Sequence, residues 1–210
     1  HINLVPGDVV VISGGARGIT AAAALALAKE TALTLVLLGR SPQPVAEPGW
    51  LSTLTDEAVI KKAILENEFN GQKVTPAKIE EVFKGHMANR EIAANLAELK
   101  STGAEATYYE TDIRDFTMVQ TVMADIRNTH GPIAGIIHGA GVLEDRLIID
   151  KTLDQFERVF DTKVKGLENL LANIGQDPLK YLVLFSSVAA RMGNRGQADY
   201  AMANEVLNKM

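Results

Sequence analysis

The sequence of 210 residues contains no cysteine, which excludes a disulfide framework and any thiolate metal site. That agrees with a reducing compartment, and the cytoplasm is the expected location. Long apolar runs are also missing, since none approaches the ~18 residues of a membrane span. The opening "HINLVPGDVV" has neither a basic n-region nor a signal-like cleavage site, so a soluble chain is expected. Nor is there an excess of basic charge. Lys and Arg number 21 against 26 Asp and Glu, for a formal charge of −5. That balance argues against bulk nucleic-acid binding, which relies on a basic stripe that releases counterions from phosphate.

What is present is enough apolar material for a core. The hydrophobic share is 47%, and the length favours one large domain or one domain with an insertion. "DVVVISGG" (8–15) is a short β-branched run stopped by glycines, and "ITAAAALALAKE" (19–30) is an alanine-rich helix. "LTLVLLGR" (33–40) is again continuously apolar, as a parallel strand covered on both faces should be. "AEATYYETD" (104–112), "IAGIIHGAG" (133–141) and "KYLVLFSS" (180–187) follow, separated by helical patterns at about 115–129 and 152–173. The alternation predicts an α/β fold, an open, doubly wound parallel sheet of Rossmann type.

One stretch interrupts the rhythm. About fifty residues separate Arg40 from the helix around "REIAANLAELKS" (90–101), where an ordinary connection needs roughly 2–6. Residues 41–49 hold three prolines, residues 55–69 read as a helix, and "TPAKIEEVF" opens another, with Thr75 as N-cap and Pro76 at N1. A small helical insertion at about 42–90 is expected. It serves either as surface decoration and a packing face, or as a contact for substrate or partner. At the two ends, the first residue is not Met, and Met210 falls inside a helix begun near Asp199. The chain is therefore expected to be a piece of a longer polypeptide.

"SGGARGIT" (13–20) places Gly14, Gly15 and Gly18 between the first strand and the first helix. A helix N-terminus offers free N–H groups and the positive end of its dipole, and glycine lets a pyrophosphate approach the backbone. The alternative is a tight turn without ligand, but the strand–turn–helix setting favours a dinucleotide. An acidic residue ending the second strand would suit the ribose 2′-hydroxyl of NAD. Here the strand ends in Gly39-Arg40, and Arg17 lies in the glycine turn, so two guanidiniums await a 2′-phosphate and NADPH is expected. Arg40 could equally be a solvated strand end, and Arg17 a local cap or ion-pair partner. Asp112, in "TDIRD", either accepts from an adenine amino group or caps the next helix, a role that Asp115 fits better.

With "SGGARGI", "TDIRD", "HGAG" (138–141), "KVKG" (163–166) and "SS…YAMAN" in this order, the chain resembles the short-chain dehydrogenase/reductase superfamily. Within it, the sequence is similar to the ketoreductase domains of polyketide and multifunctional fatty-acid synthases. The resemblance covers nearly all of residues 7–210 outside the insertion. It implies cofactor contacts from Gly14, Gly15, Arg17, Gly18, Ile19, Arg40, Asp112, Ile113, Gly139, Ala140 and Gly141. It also implies a catalytic tetrad of Ser187, Tyr200, Lys163 and Asn204. Most of the superfamily carries Tyr-x-x-x-Lys, whereas Asn204 stands four residues after Tyr200 and the lysine lies upstream at Lys163, an exchange found in synthase ketoreductases. Two departures stand out: Thr20 occupies the usual third-glycine position, and the sixth strand and lid helix of the family fold are missing after the fifth strand. Leu143, Glu144 and Asp145 match the Leu-x-Asp of B-type domains, which give D-configured products. The insertion and "GGARGIT" look most like synthases of polyunsaturated fatty acids.

The chemistry can be argued from the residues as well. Ketone reduction needs a hydride at the carbonyl carbon, a proton at its oxygen and donors for the developing oxyanion. Tyr200 can supply the proton and Ser187 a second hydrogen bond. A phenol of pKa about 10 is a sluggish acid at neutral pH, so the Lys163 ammonium would help by stabilising phenolate. Asn204 can order the lysine or a relaying water. Singly, each residue has an ordinary structural role, and only the joint spacing favours catalysis. The resemblance implies NADPH-dependent reduction of a 3-ketoacyl thioester on the phosphopantetheine of an acyl carrier protein, beside other synthase domains. A free-standing alcohol dehydrogenase and a non-catalytic structural module are the competing readings.

Overall fold

The computed structural model describes residues 4–210. Its centre is a sheet of five parallel strands, β1 (Val9–Ser13), β2 (Thr34–Gly39), β3 (Glu105–Glu110), β4 (Ile133–His138) and β5 (Tyr181–Leu184), in the spatial order β3-β2-β1-β4-β5. β1 and β4 are buried at every position, which is why their sequences are apolar up to the terminal Ser13 and His138 where a half-exposed strand would alternate. Successive side chains still point to opposite faces. Val10, Ile12, Leu35 and Leu37 join Ala24, Ala28, Ile92 and Leu99 in one core cluster. Val9, Val11, Val36 and Leu38 join Val119, Met123, Ile126 and Leu170 in a second. The sheet is thus sandwiched between α1 (Gly18–Glu30) and α3 (Pro76–Ser101) on one side and α4 (Phe116–His130) and α5 (Leu153–Ala172) on the other. This is the doubly wound architecture that the sequence predicts.

The insertion consists of α2 (Glu57–Asn67) and the leading part of α3. Asp56 caps α2 by accepting from the Val59 N–H, and Thr75 caps α3 by accepting from the Lys78 N–H, with Pro76 following as expected. A small core of its own holds the two together, with Leu51, Ile60 and Ile64 fully buried among Trp50, Phe69, Phe83 and Met87. One expectation needs correcting. The helix opened by Thr75 and the one around residues 90–101 are a single α3 of 26 residues. No proline intervenes, and the one glycine on the way, Gly85, costs a helix only about 1 kcal/mol relative to alanine.

Two short helices close the chain, α6 (Ala189–Met192) and α7 (Ala198–Leu207). Asp115 caps α4, accepting from Met118 N–H at 3.0 Å, so the cap belongs to it and not to Asp112. Among the described residues no helix is long and apolar enough to cross a membrane.

Candidate active site

In a parallel sheet all strand C-termini face one way, and a crevice opens where the strand order reverses. Here that point lies between β1 and β4, and a cleft of about 460 Å³ occupies it. The turn after β1 contributes Gly14, Arg17, Gly18 and Ile19 to its walls. Arg40 stands at the end of β2, Asp112 and Ile113 follow β3, and Gly139, Ala140 and Gly141 follow β4. All but one of the residues expected to touch a cofactor therefore line a single cleft. The exception is Gly15, which is buried beneath the turn. A Cβ there would lie 2.5 Å from Ile12 Cγ2, so packing beneath the turn requires its smallness.

The glycines at the cleft have distinct physical reasons. Gly14 has a φ of +72°, and a Cβ would lie 2.8 Å from the Ala140 backbone, so the β1 and β4 loops touch main chain to main chain. Gly18 has a φ of +59° with nothing within 4 Å of where a Cβ would be, leaving open space in front of the α1 N-terminus. Thr20 explains its own departure from the glycine pattern. Its side chain fills the space that a Cβ on Gly139 would need, so the missing side chain has moved to the facing loop. A backbone cradle at a helix N-terminus, flanked by Arg17 and Arg40, fits a dinucleotide phosphate.

The charged residues of the cleft are not equivalent. Arg40 is exposed at the rim and makes no hydrogen bond to another described side chain. Arg17 Nε donates to Glu91 Oε2 at 2.7 Å. Asp112 is gripped by Arg114, whose Nε donates to Oδ1 at 3.0 Å and whose backbone N–H also donates to Oδ1 at 3.0 Å. Those hydrogen bonds, against the opposing effect of burial, hold the Asp112 carboxyl below the usual carboxylate range.

Of the predicted catalytic residues, Lys163, Tyr200 and Asn204 come together. Lys163, on α5, is only 3% exposed, and its Nζ donates to Phe185 O at 2.9 Å and lies 5.7 Å from the centroid of the Tyr200 ring. Burial brings the Lys163 ammonium down to about 8. Tyr200 sits in the first turn of α7, and Asn204, one turn on, is fully buried. Its Nδ2 donates to Tyr200 O at 2.7 Å, while its Oδ1 has no hydrogen-bond partner among the described residues. Ser187 follows β5, with its Oγ accepting from Ala189 N–H at 3.2 Å. The neighbouring Ser186 Oγ donates to Asn204 O at 3.2 Å and so ties this strand end to α7.

Three features were not foreseen from sequence. Buried His138 receives the Ser13 hydroxyl at Nδ1 (2.6 Å), and its Nε2–H donates to Lys163 O (2.9 Å), which fixes the neutral tautomer and the lysine's main chain. Lys151 and Asp199 form an ion pair at 2.6 Å with side chains 3% and 2% exposed, immediately before Tyr200. Glu91 reaches into the glycine turn from α3. No local pattern signals these contacts, because each joins residues far apart in sequence. The Leu-x-Asp stretch is tied down too: Glu144 pairs with Arg158, and Asp145 accepts from Gln197, three residues before Tyr200.

A family model described as the KR domain matches residues 8–210. The chain belongs to the KR (ketoreductase) domain family. A polyunsaturated fatty acid synthase polypeptide of Thraustochytrium sp. is 39% identical over 97% of this KR domain, which spans only 8% of that protein's length. Polyketide synthase PksL of Bacillus subtilis is 38% identical over 54% of the chain and 2% of its own. Among solved structures, an N-terminal ketoreductase from the macrolactin assembly line superposes with a TM-score of 0.72 at 31% identity. It covers 96% of this KR domain, and 32% of its own chain is matched. A ketoreductase domain from the bacillaene assembly line gives 0.69 at 32% identity, covering 94% of this chain and 37% of its own. The KR domain therefore has the short-chain dehydrogenase/reductase fold and belongs to the oxidoreductases.

Proposed function

We propose that this KR domain uses NADPH to reduce a 3-ketoacyl thioester, held on the phosphopantetheine of an acyl carrier protein, to the 3-hydroxyacyl thioester within a multidomain synthase. The observation that carries the reading is the buried Lys163 ammonium beside the Tyr200 ring, with Asn204 one turn away. Bound NADPH would supply the hydride. The glycine turn and α1 N-terminus would hold its pyrophosphate, and Arg17 and Arg40 its 2′-phosphate. Tyr200 donates the proton to the carbonyl oxygen and Ser187 a second hydrogen bond to it. Lys163, kept cationic at neutral pH, stabilises the phenolate left behind. The unpartnered Asn204 Oδ1 is an acceptor suited to a water that returns the proton. The synthase relatives support the carrier-bound substrate and the neighbouring domains. The match of Leu143, Glu144 and Asp145 to the Leu-x-Asp of B-type domains supports a D-configured product.

The test is Tyr200→Phe, assayed with a 3-ketoacyl thioester and NADPH. Turnover should fall by about 10²-fold or more, the usual contribution of a general acid, while NADPH affinity stays within about twofold. Near-normal turnover would reject the catalytic assignment and leave a non-catalytic module as the better reading.

A further inference from the structure

The insertion does more than decorate the surface, because the helix it extends reaches the cofactor cleft. Arg90 on α3 donates to Leu51 O and Leu54 O and pairs with Glu47, which anchors the helix to the insertion. The next residue, Glu91, points the other way. Its Oε2 accepts from Arg17 Nε at 2.7 Å and its Oε1 from Gly18 N–H at 2.9 Å. One turn later Asn95 Nδ2 donates to Ala16 O at 2.9 Å, so α3 holds the glycine turn at three successive residues. A guanidinium beside a helix N-terminal N–H is the donor pair that phosphate oxygens take. Glu91 presents a carboxylate to both.

We propose that Glu91 is a selectivity residue of the cofactor site, a carboxylate that competes with dinucleotide phosphate for Arg17 and the Gly18 N–H and so penalises NADPH more than NADH. The inference rests on the dinucleotide reading given above. Burial pushes the Glu91 carboxyl up, but Arg17 and the Gly18 N–H outweigh it and hold the group below its ordinary range, so it is ionised throughout the neutral region. The pair is half-open to solvent, with side chains 49% and 38% exposed. An ion pair that exposed is weak, so the carboxylate taxes binding without blocking it. The tax is selective because a 2′-phosphate brings extra negative charge to Arg17, which NADH leaves paired with Glu91.

The experiment titrates wild type, Glu91→Gln and Glu98→Gln with NADPH and with NADH, following nicotinamide fluorescence. Glutamine keeps an oxygen for Gly18 and removes the charge, and Glu98 is an exposed carboxylate on the same helix. Glu91→Gln should lower the Kd for NADPH about fivefold, what an exposed ion pair at the upper end of its range is worth, and move that for NADH less than about twofold. Glu98→Gln should move neither, and in an Arg17→Ala background Glu91→Gln should lose its NADPH effect. An unchanged or weaker NADPH affinity in Glu91→Gln overturns the competition, since the carboxylate would then be positioning Arg17 for its ligand. If wild type binds neither dinucleotide, the cofactor reading itself fails and this inference with it.

Discussion

His138 shows how much a single residue can carry. Burial, helped by the nearby Lys163 ammonium, pushes its imidazole down to about 4. The neutral ring bridges the Ser13 hydroxyl and the Lys163 carbonyl. The folded value lies below the unfolded one of about 6.5, so the stabilisation is complete above that pH and is lost as pH falls toward 4. At pH 5 the loss should be about 2 kcal/mol. Urea midpoints at pH 7 and pH 5 measure it, and His138→Gln should flatten the difference attributable to this site. Sequence reasoning singled out Ser187, Tyr200, Lys163 and Asn204 as candidates because their joint spacing matches a family pattern. It could not find His138's role, since its partners lie 125 and 25 residues away. Nor could it tell that Lys163 is buried, because a lysine in a charged helical stretch ordinarily reads as surface.

Among the elements, the loop before α5 and the start of α7 are joined by charge. Lys151 Nζ bonds both Glu144 O (2.7 Å) and Asp199 Oδ2 (2.6 Å), and Asp199 Oδ1 accepts from the Tyr200 N–H. A buried pair is dangerous to break, because the surviving charge has no partner. Lys151→Ala should destabilise the fold by about 3–5 kcal/mol, and replacing both partners with apolar residues should recover most of that. Urea unfolding of the single and double variants decides it; equal losses in both would show that packing, not the lone charge, sets the cost. The caps and strands were legible at this scale, since Thr75-Pro76, Asp115 and the β-branched runs act locally. The continuity of α3 was not. A long polar helix gives no signal that its two halves belong together until one half anchors on the insertion and the other on the sheet.

At the scale of the whole fold, the described residues form three separate apolar clusters, one on each face of the sheet and one inside the insertion. The insertion cluster should open on its own, at lower free energy than the sheet. In hydrogen exchange, α2 amides should be lost before those of β1 and β2. Ile64→Ala, a fully buried truncation costing about 2–5 kcal/mol, should speed α2 exchange while leaving β1 unchanged. Equal acceleration in β1 would mean a single cooperative unit. The doubly wound sheet itself was legible from sequence, because β1, β2 and β4 are largely apolar runs and helical stretches alternate with the strands.

The strand order also sets a timetable for biosynthesis. β1 is the middle of the sheet, yet one of its two neighbours, β4, carries His138, which meets Ser13 across 125 residues of chain. At roughly 5–20 residues per second, a ribosome needs on the order of ten seconds to bring that partner out. Throughout that interval a largely apolar strand of the nascent chain has an open flank. The insertion falls inside the same stretch and prolongs the exposure, so chaperone demand during translation should be greatest between the emergence of β2 and that of β4.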